Sequence, residues 1–411
     1  MSAAALQPPR VVVAGGGVAG LEACLALRSF LDERQLGIDL LCRDVRFEYR
    51  PLSVLEPFQG APAWSMSLER FAADQEVVLV RDDLATVEVD ERIAVSASAR
   101  RLRYDKLLVA VGARPQRTLP GAITFRGGRD ADTLRTALDA VRPGERTTIV
   151  FTAPWDVFWT LPLYELALLS AARLRDRGAR ARVVLAVPEA APLALFGPAA
   201  SAAVRRALDE HTIEFIGGAR SVAADAGELE LDDGERIPAA TIVALASPIG
   251  PRILGIPHDG AGFVSVDAFG RVTGLDGVFA AGDVTTFPLK QGGLATQQAD
   301  AAAQCMLAEL GFPIVARPFD PVLRGVLYAD GDPTYLRSAH GEGSQPRAYS
   351  MWWPPSKIAG RHLAPYLATR GGAPRAPEVR PDGNAIAVDV DVHRAVRGVA
   401  DGLDPDVVPG G

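Results

Sequence analysis

Short apolar runs alternate along the chain with longer stretches in which apolar residues recur every three or four positions, and this alternation predicts an α/β fold. Near the amino end it predicts a βαβ unit, with a strand at 10–14, a helix at 20–31 and a strand at 37–42. A second unit begins at Thr147, with a strand at 148–151, a helix at 163–177 and a strand at 182–187. The two units indicate two α/β domains of similar design.

Shorter elements are predicted between and after these units. Residues 77–110 alternate apolar runs with charged turns, as β-hairpins do, and a buried strand at 107–112 stops at Gly112. Further elements are strands at 212–216, 228–232, 240–246 and 277–281, the last preceded by 264–272, and a long helix at 293–310. The strand at 277–281 is expected to rejoin the first domain.

Composition narrows the class of partner. The chain has 411 residues and a net charge of -7 without a basic stripe, which argues against nucleic acid. Cys24, Cys42 and Cys305 lie far apart, which fits a reducing compartment and predicts neither a disulfide framework nor a metal site. Residues 1–9 carry no apolar signal segment, and no run of roughly 18 apolar residues occurs. We expect a cytoplasmic protein, and peripheral contact with the inner face of the membrane is left open.

The loop after the first strand carries glycines at the spacing of a dinucleotide cradle. Gly15 suits the tight turn, Gly17 lets a pyrophosphate approach the backbone, and Gly20 allows close packing of the helix. The helix N-terminus then presents free N–H groups to the anion. After the second strand, Arg43 is a candidate for the adenine or pyrophosphate and Asp44 for the ribose, with solvated turn residues as the alternative.

A segment far along the chain is expected to bind the same ligand as this loop. The apolar strand at 277–281 ends in Gly282-Asp283, whose carboxylate is placed to accept hydrogen bonds from sugar-alcohol hydroxyls, a simple turn or cap being the alternative. The helix that starts near Gly292 would aim its N-terminus at the same ligand. Lys290 precedes it and would add a positive charge, unless it is an ordinary surface lysine.

These motifs, taken in order, resemble the pyridine nucleotide-disulfide oxidoreductase superfamily. They are most similar to its branch of sulfide:quinone oxidoreductases, flavocytochrome c sulfide dehydrogenases and type II NADH dehydrogenases. The matching segments are the glycine loop, Phe47-Glu48-Tyr49-Arg50-Pro51, Tyr104 to Gly112, Ala281-Gly282-Asp283 and Phe287 to Gly293. The resemblance covers about residues 10–367 and implies FAD as cofactor, two Rossmann-like (FAD/NAD(P)-binding) domains and a C-terminal segment that borders the flavin.

The resemblance also implies domain boundaries and site residues. The domains are an FAD-binding domain at 8–115 and 248–318, a second, degenerate NAD-type Rossmann-like domain at 116–247, a C-terminal interface segment at 319–370 and a flexible tail at 371–411 with at most one short helix. Pro51 would lie near the isoalloxazine and Leu84 beside the adenine. The full set of cofactor-binding candidates is Gly15, Gly17, Gly20, Arg43, Pro51, Leu84, Gly112, Gly282, Asp283, Lys290, Gln291 and Gly292. Lys290 would raise the flavin potential. A homodimer is left open.

The second unit lacks the glycines that a nicotinamide nucleotide needs. Its loop, 152–161, contains no glycine, and Trp155, Phe158 and Trp159 supply bulk there. Pro154 and Pro162 remove N–H donors from the loop. Orthodox NAD(P)H binding is therefore doubtful.

The cysteines of sulfide-oxidising relatives are missing as well. Ala153 stands on the loop where they place a cysteine, and no cysteine follows Cys305. A thiol relay to the flavin cannot be carried over from them.

Three further features are left open. Glu165 falls where the family places a glutamate near flavin N5 and could handle protons, or it is a first-turn acid favoured by the helix dipole. The segment 351–367 reads as a lid over the flavin or as an amphipathic membrane contact. Gln297 and Gln298 stand where type II NADH dehydrogenases place glutamines by the quinone, with a solvated helix face as the alternative.

The sequence thus predicts an FAD-dependent oxidoreductase. The main hypothesis is a small reductant that passes electrons through FAD to a quinone or another acceptor, with Glu165 and Lys290 as the catalytic candidates. One alternative is an NAD(P)H:acceptor reductase with an unusual nicotinamide site. The other is a flavin-binding sensor or interaction protein without turnover.

Overall fold

The structure is a computed structural model that describes residues 8–59, 64–225, 227–330, 333–338 and 356–370, together with the backbone of 386–387. Its helices are α1 (Val18–Phe30), α2 (Glu56–Gln59), α3 (Leu68–Asp74), α4 (Arg129–Ala140), α5 (Leu161–Asp176), α6 (Pro198–Glu210), α7 (Gly292–Glu309) and α8 (Leu363–Thr369). Short 3₁₀ helices cover Arg50–Leu55 and Ala194–Phe196. Within these residues, no helix combines the length and the apolar character that crossing a bilayer requires.

The strands of the first half are β1 (Arg10–Ala14), β2 (Gly37–Leu41), β3 (Arg46–Glu48), β4 (Ser65–Ser67), β5 (Val78–Val80), β6 (Leu84–Glu88), β7 (Ile93–Ser96), β8 (Arg101–Arg103), β9 (Lys106–Val109), β10 (Arg114–Gln116), β11 (Ile123–Phe125), β12 (Arg146–Thr152) and β13 (Arg180–Val187). Those of the second half are β14 (Ile213–Gly217), β15 (Ser221–Asp225), β16 (Glu228–Leu231), β17 (Arg236–Pro238), β18 (Thr241–Leu245), β19 (Ser247–Ile249), β20 (Val278–Ala280), β21 (Leu323–Leu327), β22 (Thr334–Ser338) and β23 (Ile386–Ala387).

The first domain is built on a parallel sheet in the order β20-β9-β1-β2-β5. Successive strand residues point to opposite faces, so Val11 and Val13 pack under α1 and α7, while Val12 and Ala14 pack against the antiparallel sheet β6-β7-β8. The strand β20 pairs with β9, so the predicted return of the chain to the first sheet is confirmed.

The second domain repeats this plan. Its parallel sheet has the order β11-β18-β12-β13-β14, with β12 and β13 paired along their length. Ile149 and Phe151 face α4, α5 and α6, whereas Val150 faces the antiparallel sheet β15-β16-β17. The antiparallel pair β10-β19 carries the chain between the domains. The α/β architecture with two Rossmann-like domains is therefore confirmed, whereas the individual domain boundaries stay a prediction.

The C-terminal part joins both domains. The hairpin β21-β22 packs on α5 through Leu323, Leu327 and Leu336. Residues 356–362, which we call the strap, then lead into α8 beside α1. Glu22 of α1 accepts hydrogen bonds from the backbone N–H groups of His362 and Leu363, at 2.9 and 2.6 Å, and so caps α8.

Some sequence predictions need correction. The helices α4 and α6 were not predicted, although buried Ala131, Leu134 and Leu138 give α4 a clear apolar stripe. The helix α1 begins at Val18, earlier than the predicted 20, because the turn closes directly at Gly17. Residues 351–355 of the predicted lid, and the tail 371–411 apart from the backbone of β23, lie outside the described residues.

Candidate functional site

The glycine loop after β1 is held by backbone packing. Gly15 has a φ of +121°, and a Cβ there would lie 2.2 Å from the carbonyl oxygen of Ala110. A Cβ on Gly20 would lie 1.8 Å from the carbonyl oxygen of Gly15. Larger residues at Gly15 and Gly20 would therefore push β1, β9 and α1 apart.

Gly17 has a different reason to be glycine. A Cβ there would meet no atom within 4 Å, and Gly17 caps α1 without any side-chain hydrogen bond. The first turn of α1 carries no acidic residue. Gly112, with a φ of +74°, also opens onto free space at the end of β9. Bare backbone and free N–H groups at a helix N-terminus are what a pyrophosphate needs, so this cradle fits FAD.

A further glycine of this loop was missed from the sequence. A Cβ on Gly16 would lie 2.7 Å from the Sγ of Cys42 and 2.8 Å from the Cδ1 of Leu68. Position 16 needs a glycine because of side chains that are distant in sequence, so the glycine spacing alone could not reveal this need.

The predicted adenine end lies at the edge of the first sheet. Arg43 follows β2, is largely exposed, and places its Nη1 3.1 Å from a carboxylate oxygen of Asp83. Leu84, directly after Asp83, begins β6 and is half-buried against the apolar residues behind the sheet. Arg43 and Leu84 thus border the same end of the cradle, and their contact with the adenine stays a prediction.

Gly282 lies where α1 and α7 converge. It has a φ of +83°, and a Cβ there would lie 3.0 Å from the Cβ of Ala19 and 3.4 Å from the Cβ of Ala295. Its N–H donates to Oε1 of Gln298 at 2.7 Å. This close approach brings the N-termini of both helices to one site.

Asp283 presents a carboxylate at this junction. It is half-buried and forms no hydrogen bond to any side chain or backbone group among the described residues. Burial raises the pKa of Asp283, and the positive charges of Lys290 and Arg50 oppose that rise. An acceptor with no internal partner fits the ribityl hydroxyls that the family resemblance implies.

Lys290 is tied into its own loop. Its Nζ donates to the carbonyl oxygens of Thr285 and Phe287, at 2.6 and 2.9 Å, and lies 3.9 Å from the ring centroid of Phe263. Burial lowers the pKa of Lys290 to about 8, although Asp283 favours its charged form. The ammonium group of Lys290 is therefore fixed in position, and it loses its proton more readily than that of an ordinary lysine.

The side chains at the start of α7 are committed to the protein itself. Gln291 caps α7 by accepting from the N–H of Leu294 at 2.8 Å and donates to the carbonyl oxygen of Arg324 at 3.0 Å. A Cβ on Gly292 would lie 3.1 Å from Cγ1 of Ile358 in the strap. Gln291 and Gly292 can thus serve a cofactor through their backbone alone.

The two glutamines considered for a quinone are likewise occupied. The side chain of Gln297 donates to the carbonyl oxygens of Gly293 and Val322, at 2.8 and 2.9 Å, and accepts from the N–H of Val322 at 2.8 Å. Gln298 accepts from Gly282, as described above. Both glutamines fix α7 to neighbouring segments, which weakens the solvated-face interpretation as well as the quinone interpretation.

Glu165 lies in a buried ion pair that joins three parts of the fold. Both of its carboxylate oxygens are 2.6 Å from Nζ of Lys357, and the side chains are 0% and 6% exposed. Lys357 also donates to the carbonyl oxygen of Pro51 at 3.1 Å, and Glu165 accepts from the N–H of Tyr328 at 2.9 Å. The predicted neighbours Pro51 and Glu165 are thus brought together by a lysine of the strap, which the sequence could not place.

Burial and pairing act against each other in this ion pair. Burial raises the pKa of Glu165, while the positive charge of Lys357 lowers it. Burial lowers the pKa of Lys357, while the carboxylate of Glu165 raises it. Burial has the larger effect on both groups, so the pKa of Glu165 is raised and that of Lys357 is lowered from their ordinary values.

The second cradle is filled by its own side chains. Glu189 follows β13, at the place where NAD-binding units carry the acid for the ribose. Here Glu189 is 8% exposed and accepts hydrogen bonds from the hydroxyls of Thr160, at 2.9 Å, and Tyr164. Burial raises the pKa of Glu189 to about 7. The ring of Trp159 packs edge-on against Phe196, with centroids 6.0 Å apart, and closes the same loop.

The cysteines cannot supply a reactive thiolate. All three are free and buried. Burial raises the pKa of Cys24 to about 12 and that of Cys305 to about 11. Burial also raises the pKa of Cys42. Their thiols are protonated at neutral pH, so the structure agrees with the predicted loss of a thiol relay.

Comparison with known proteins shows what this chain is similar to. The family model described as pyridine nucleotide-disulphide oxidoreductase matches residues 166–304. An NADH dehydrogenase-like protein of Mycobacterium tuberculosis strain H37Rv is 29% identical over 293 residues, which cover 67% of this chain and 72% of that protein.

Two solved structures share the fold. The sulfide:quinone oxidoreductase of the hyperthermophilic bacterium Aquifex aeolicus superposes with a TM-score of 0.70 at 20% identity, over 80% of this chain and 83% of that one. A ferredoxin reductase from Rhodopseudomonas palustris superposes with a TM-score of 0.59 at 20% identity, over 82% and 85%. These matches show that the chain has the fold of these oxidoreductases and that residues 166–304 are similar to the pyridine nucleotide-disulphide oxidoreductase family, and the open glycine cradle and Asp283 fit the FAD that the resemblance implies.

Proposed function

We propose that this enzyme takes electrons from a small reductant other than NAD(P)H and delivers them to a quinone or a similar acceptor. The observation that carries the proposal is Glu189, whose carboxylate is buried against Thr160 and Tyr164 in the second cradle. A ribose would have to displace two hydrogen bonds and compete with aromatic side chains for the same space. Pro154 and Pro162 further reduce the number of N–H donors for a pyrophosphate.

The state of the cysteines limits the class of reductant. Because the three thiols are buried and protonated, the donor has to reach the cofactor without forming a disulfide with the protein. When bound, FAD accepts two electrons and returns them to an acceptor. The contributions of the chain are to bind and orient this cofactor through the first cradle and Asp283, and to exclude water with the strap.

The buried pair Glu165–Lys357 is the candidate for proton handling. It adjoins Pro51, which the family resemblance places near the isoalloxazine, and it lies away from bulk water. A groove of about 430 Å³ opens on the same face of α5, and its lining combines apolar residues such as Phe58 and Leu169 with four charged ones, Arg173, Asp176, Arg177 and Asp330. Leu169 is one helical turn from Glu165, so a planar acceptor with polar groups in this groove would approach the ion pair.

Anaerobic stopped-flow mixing tests the proposal. The oxidised flavin band is followed after mixing the holoenzyme with NADH, with NADPH, and with small reductants such as sulfide, followed by a soluble quinone. We expect slow bleaching with both nicotinamides and fast bleaching with at least one small donor, reversed by the quinone. Fast bleaching by NADH or NADPH would overturn the proposal.

That outcome would favour a second candidate, an NAD(P)H:acceptor reductase, which the similarity to the NADH dehydrogenase-like protein supports. A fluorescence titration separates binding from electron transfer, because Trp155 and Trp159 lie on the loop that NAD(P)H would touch. Trp155 is 56% exposed and would report the occupancy of that loop. No change in its emission with either nucleotide is expected.

A further inference from the structure

Two arginines face each other on the C-terminal hairpin. Arg324 of β21 and Arg337 of β22 are directly opposite in the antiparallel register. Like charges in such positions lie within about 5.5 Å at their Cβ atoms and destabilise a sheet. Both side chains are half-buried, and the Nε atom of each is buried without a hydrogen-bond partner. Neither forms an ion pair with any residue that the structure describes.

A cavity of about 280 Å³ lies beside Arg324. At roughly 30 Å³ per water molecule it has room for a small organic anion or several waters. Arg361 and Thr296 line the cavity as well. It lies between α1, α7 and the strap, on elements with fixed positions, because Gln291 holds the carbonyl oxygen of Arg324 at 3.0 Å.

Two acidic groups, Glu22 and Asp300, also line the cavity. Glu22 accepts the backbone N–H groups that it caps at the start of α8. Asp300 lies 3.6 Å from a guanidinium nitrogen of Arg361 and 3.5 Å from Nε2 of His362. The lining thus carries two arginines, Arg324 and Arg361, and two carboxylates, and Arg337 opposite Arg324 adds a further positive charge. Burial and the charge of Arg337 both lower the pKa of Arg324, which is the direction expected for a cation that lacks a counterion.

We infer that Arg324 and Arg337, together with the cavity beside them, form a binding site for a small molecule that carries a carboxylate or phosphate group. A guanidinium fork matches both oxyanions bidentately, and a bound oxyanion would relieve the repulsion between the two arginines. None of the residues that line the cavity is among the cofactor-binding candidates. Residues 324, 326 and 328 share one face of the strand, so Arg324 is about 13 Å along it from Tyr328, which adjoins the Glu165–Lys357 pair.

Thermal unfolding of the FAD-saturated full chain tests this inference. Melting temperatures are measured in sodium chloride, in inorganic phosphate and in succinate at matched ionic strength. The variants are R324Q, R337Q, the double variant, and R324K, which keeps the charge but loses the fork. Arg34 is exposed and far from the cavity, so R34Q is the matched control.

For the wild type and R34Q we expect a saturable rise of about 2–5 °C with phosphate or succinate. The double variant is expected to lose that rise, and R324K to show a weaker one. In chloride alone, R337Q is expected to melt no lower than the wild type, because it removes a repulsive charge. A response to phosphate alone, or to succinate alone, supports the site and assigns its chemistry.

Two results would overturn the inference. Equal rises in all variants would mean that the salts act through general exclusion from the protein surface. A lower melting temperature for R337Q and R324Q in chloride, with no anion response in the wild type, would mean that the arginines already have a partner within the chain.

Discussion

The first and second βαβ units have the same order of elements and the same parallel pairing of their strands. Their loops between strand and helix differ, because the first leaves open space and the second is filled by side chains. In the first, Gly17 leaves free space in front of α1. In the second, Thr160 and Tyr164 hold the buried carboxylate of Glu189 across the equivalent space. The shared fold therefore says little about ligands, and we propose that the loops decide which unit binds a nucleotide.

The helices that follow the two loops are alike in their first turns, which carry no acidic residue, and each has a buried glutamate at its fifth position, Glu22 in α1 and Glu165 in α5. The helix α1 begins with unoccupied N–H groups and no acidic side chain, which favours an anion. The helix α5 carries Glu165 in its second turn, and its charge is matched by Lys357 from the strap. The two glutamates differ in their partners, since Glu22 accepts backbone N–H groups at the start of α8 and Glu165 pairs with a cation.

The largest expected effect is at the open cradle. In G17E, the new carboxylate would occupy the space in front of α1 and repel the pyrophosphate of FAD. We expect the purified protein to have lost nearly all bound FAD, a weakening of at least about 100-fold, or roughly 3 kcal/mol. Absorbance of the released cofactor per chain measures this.

The matched control is Gly260, which also has open space around it and lies on a surface loop. The G260E protein should keep its full FAD content. A G17E protein that remains fully loaded would show that the first cradle is not the FAD site and would end the contrast between the two units.

An effect of similar size, on stability instead of cofactor binding, is expected at the buried ion pair of Glu165 and Lys357. K357M leaves the carboxylate of Glu165 buried without its cation, which should destabilise the fold by about 3–5 kcal/mol. Denaturant unfolding of the holoenzyme measures this loss. The double variant E165Q/K357M should recover most of it, because no unpaired charge remains. Equal losses in the single and double variants would mean that the stem of Lys357 matters through packing and not through its charge.

How much of the fold and of the candidate site could be predicted from the sequence depends on how far apart the interacting residues are along the chain. The cradle of Gly15, Gly17 and Gly20 is local, so its spacing was sufficient. The partner of Glu165 is a lysine 192 positions later, which no local pattern indicates. The scarcity of lysine was visible, since Lys106, Lys290 and Lys357 are the only ones in the chain, but scarcity does not place a side chain.

Glu189 was missed for a different reason. The absence of glycine from the second loop was visible and raised doubt about a nicotinamide site, which stays a prediction. What fills the space could not be foreseen, because Glu189 meets Thr160 and Tyr164 only after β13 has paired with β12. The apolar stripe of α4, by contrast, was present in the sequence, and its omission reflects a weak start signal at Gly128, which offers no side-chain cap.

The pH dependence of stability probes the filled cradle. The pKa of Glu189 is about 7 in the folded protein, above the ordinary value of 4.5, so its stabilising contribution is complete below pH 4.5 and is lost as the pH rises through 7. Relative to E189Q, whose amide oxygen can still accept both hydrogen bonds, the wild type should lose about 3 kcal/mol between pH 4.5 and 8. Unfolding curves at several pH values measure the difference. E210Q, at an exposed position, is the control, and identical pH profiles for the wild type and E189Q would mean that the cradle is wetter than its geometry indicates.

The smallest effect is expected from the charge beside the open cradle. Lys290 is fixed by the carbonyl oxygens of Thr285 and Phe287, and K290Q removes its positive charge with little change in volume. If that charge stabilises the reduced cofactor, the midpoint potential of the variant should be lower by about 30–60 mV at pH 7. Because the pKa of Lys290 is about 8, the wild type itself loses the charge above that pH, and the two potentials should converge by about pH 9–10.

K106Q serves as the control, since Lys106 pairs with Glu309 at the opposite end of β9. A constant offset across this pH range would mean that Lys290 acts by shaping its loop, and the electrostatic contrast between the two cradles would then rest on the helix ends alone.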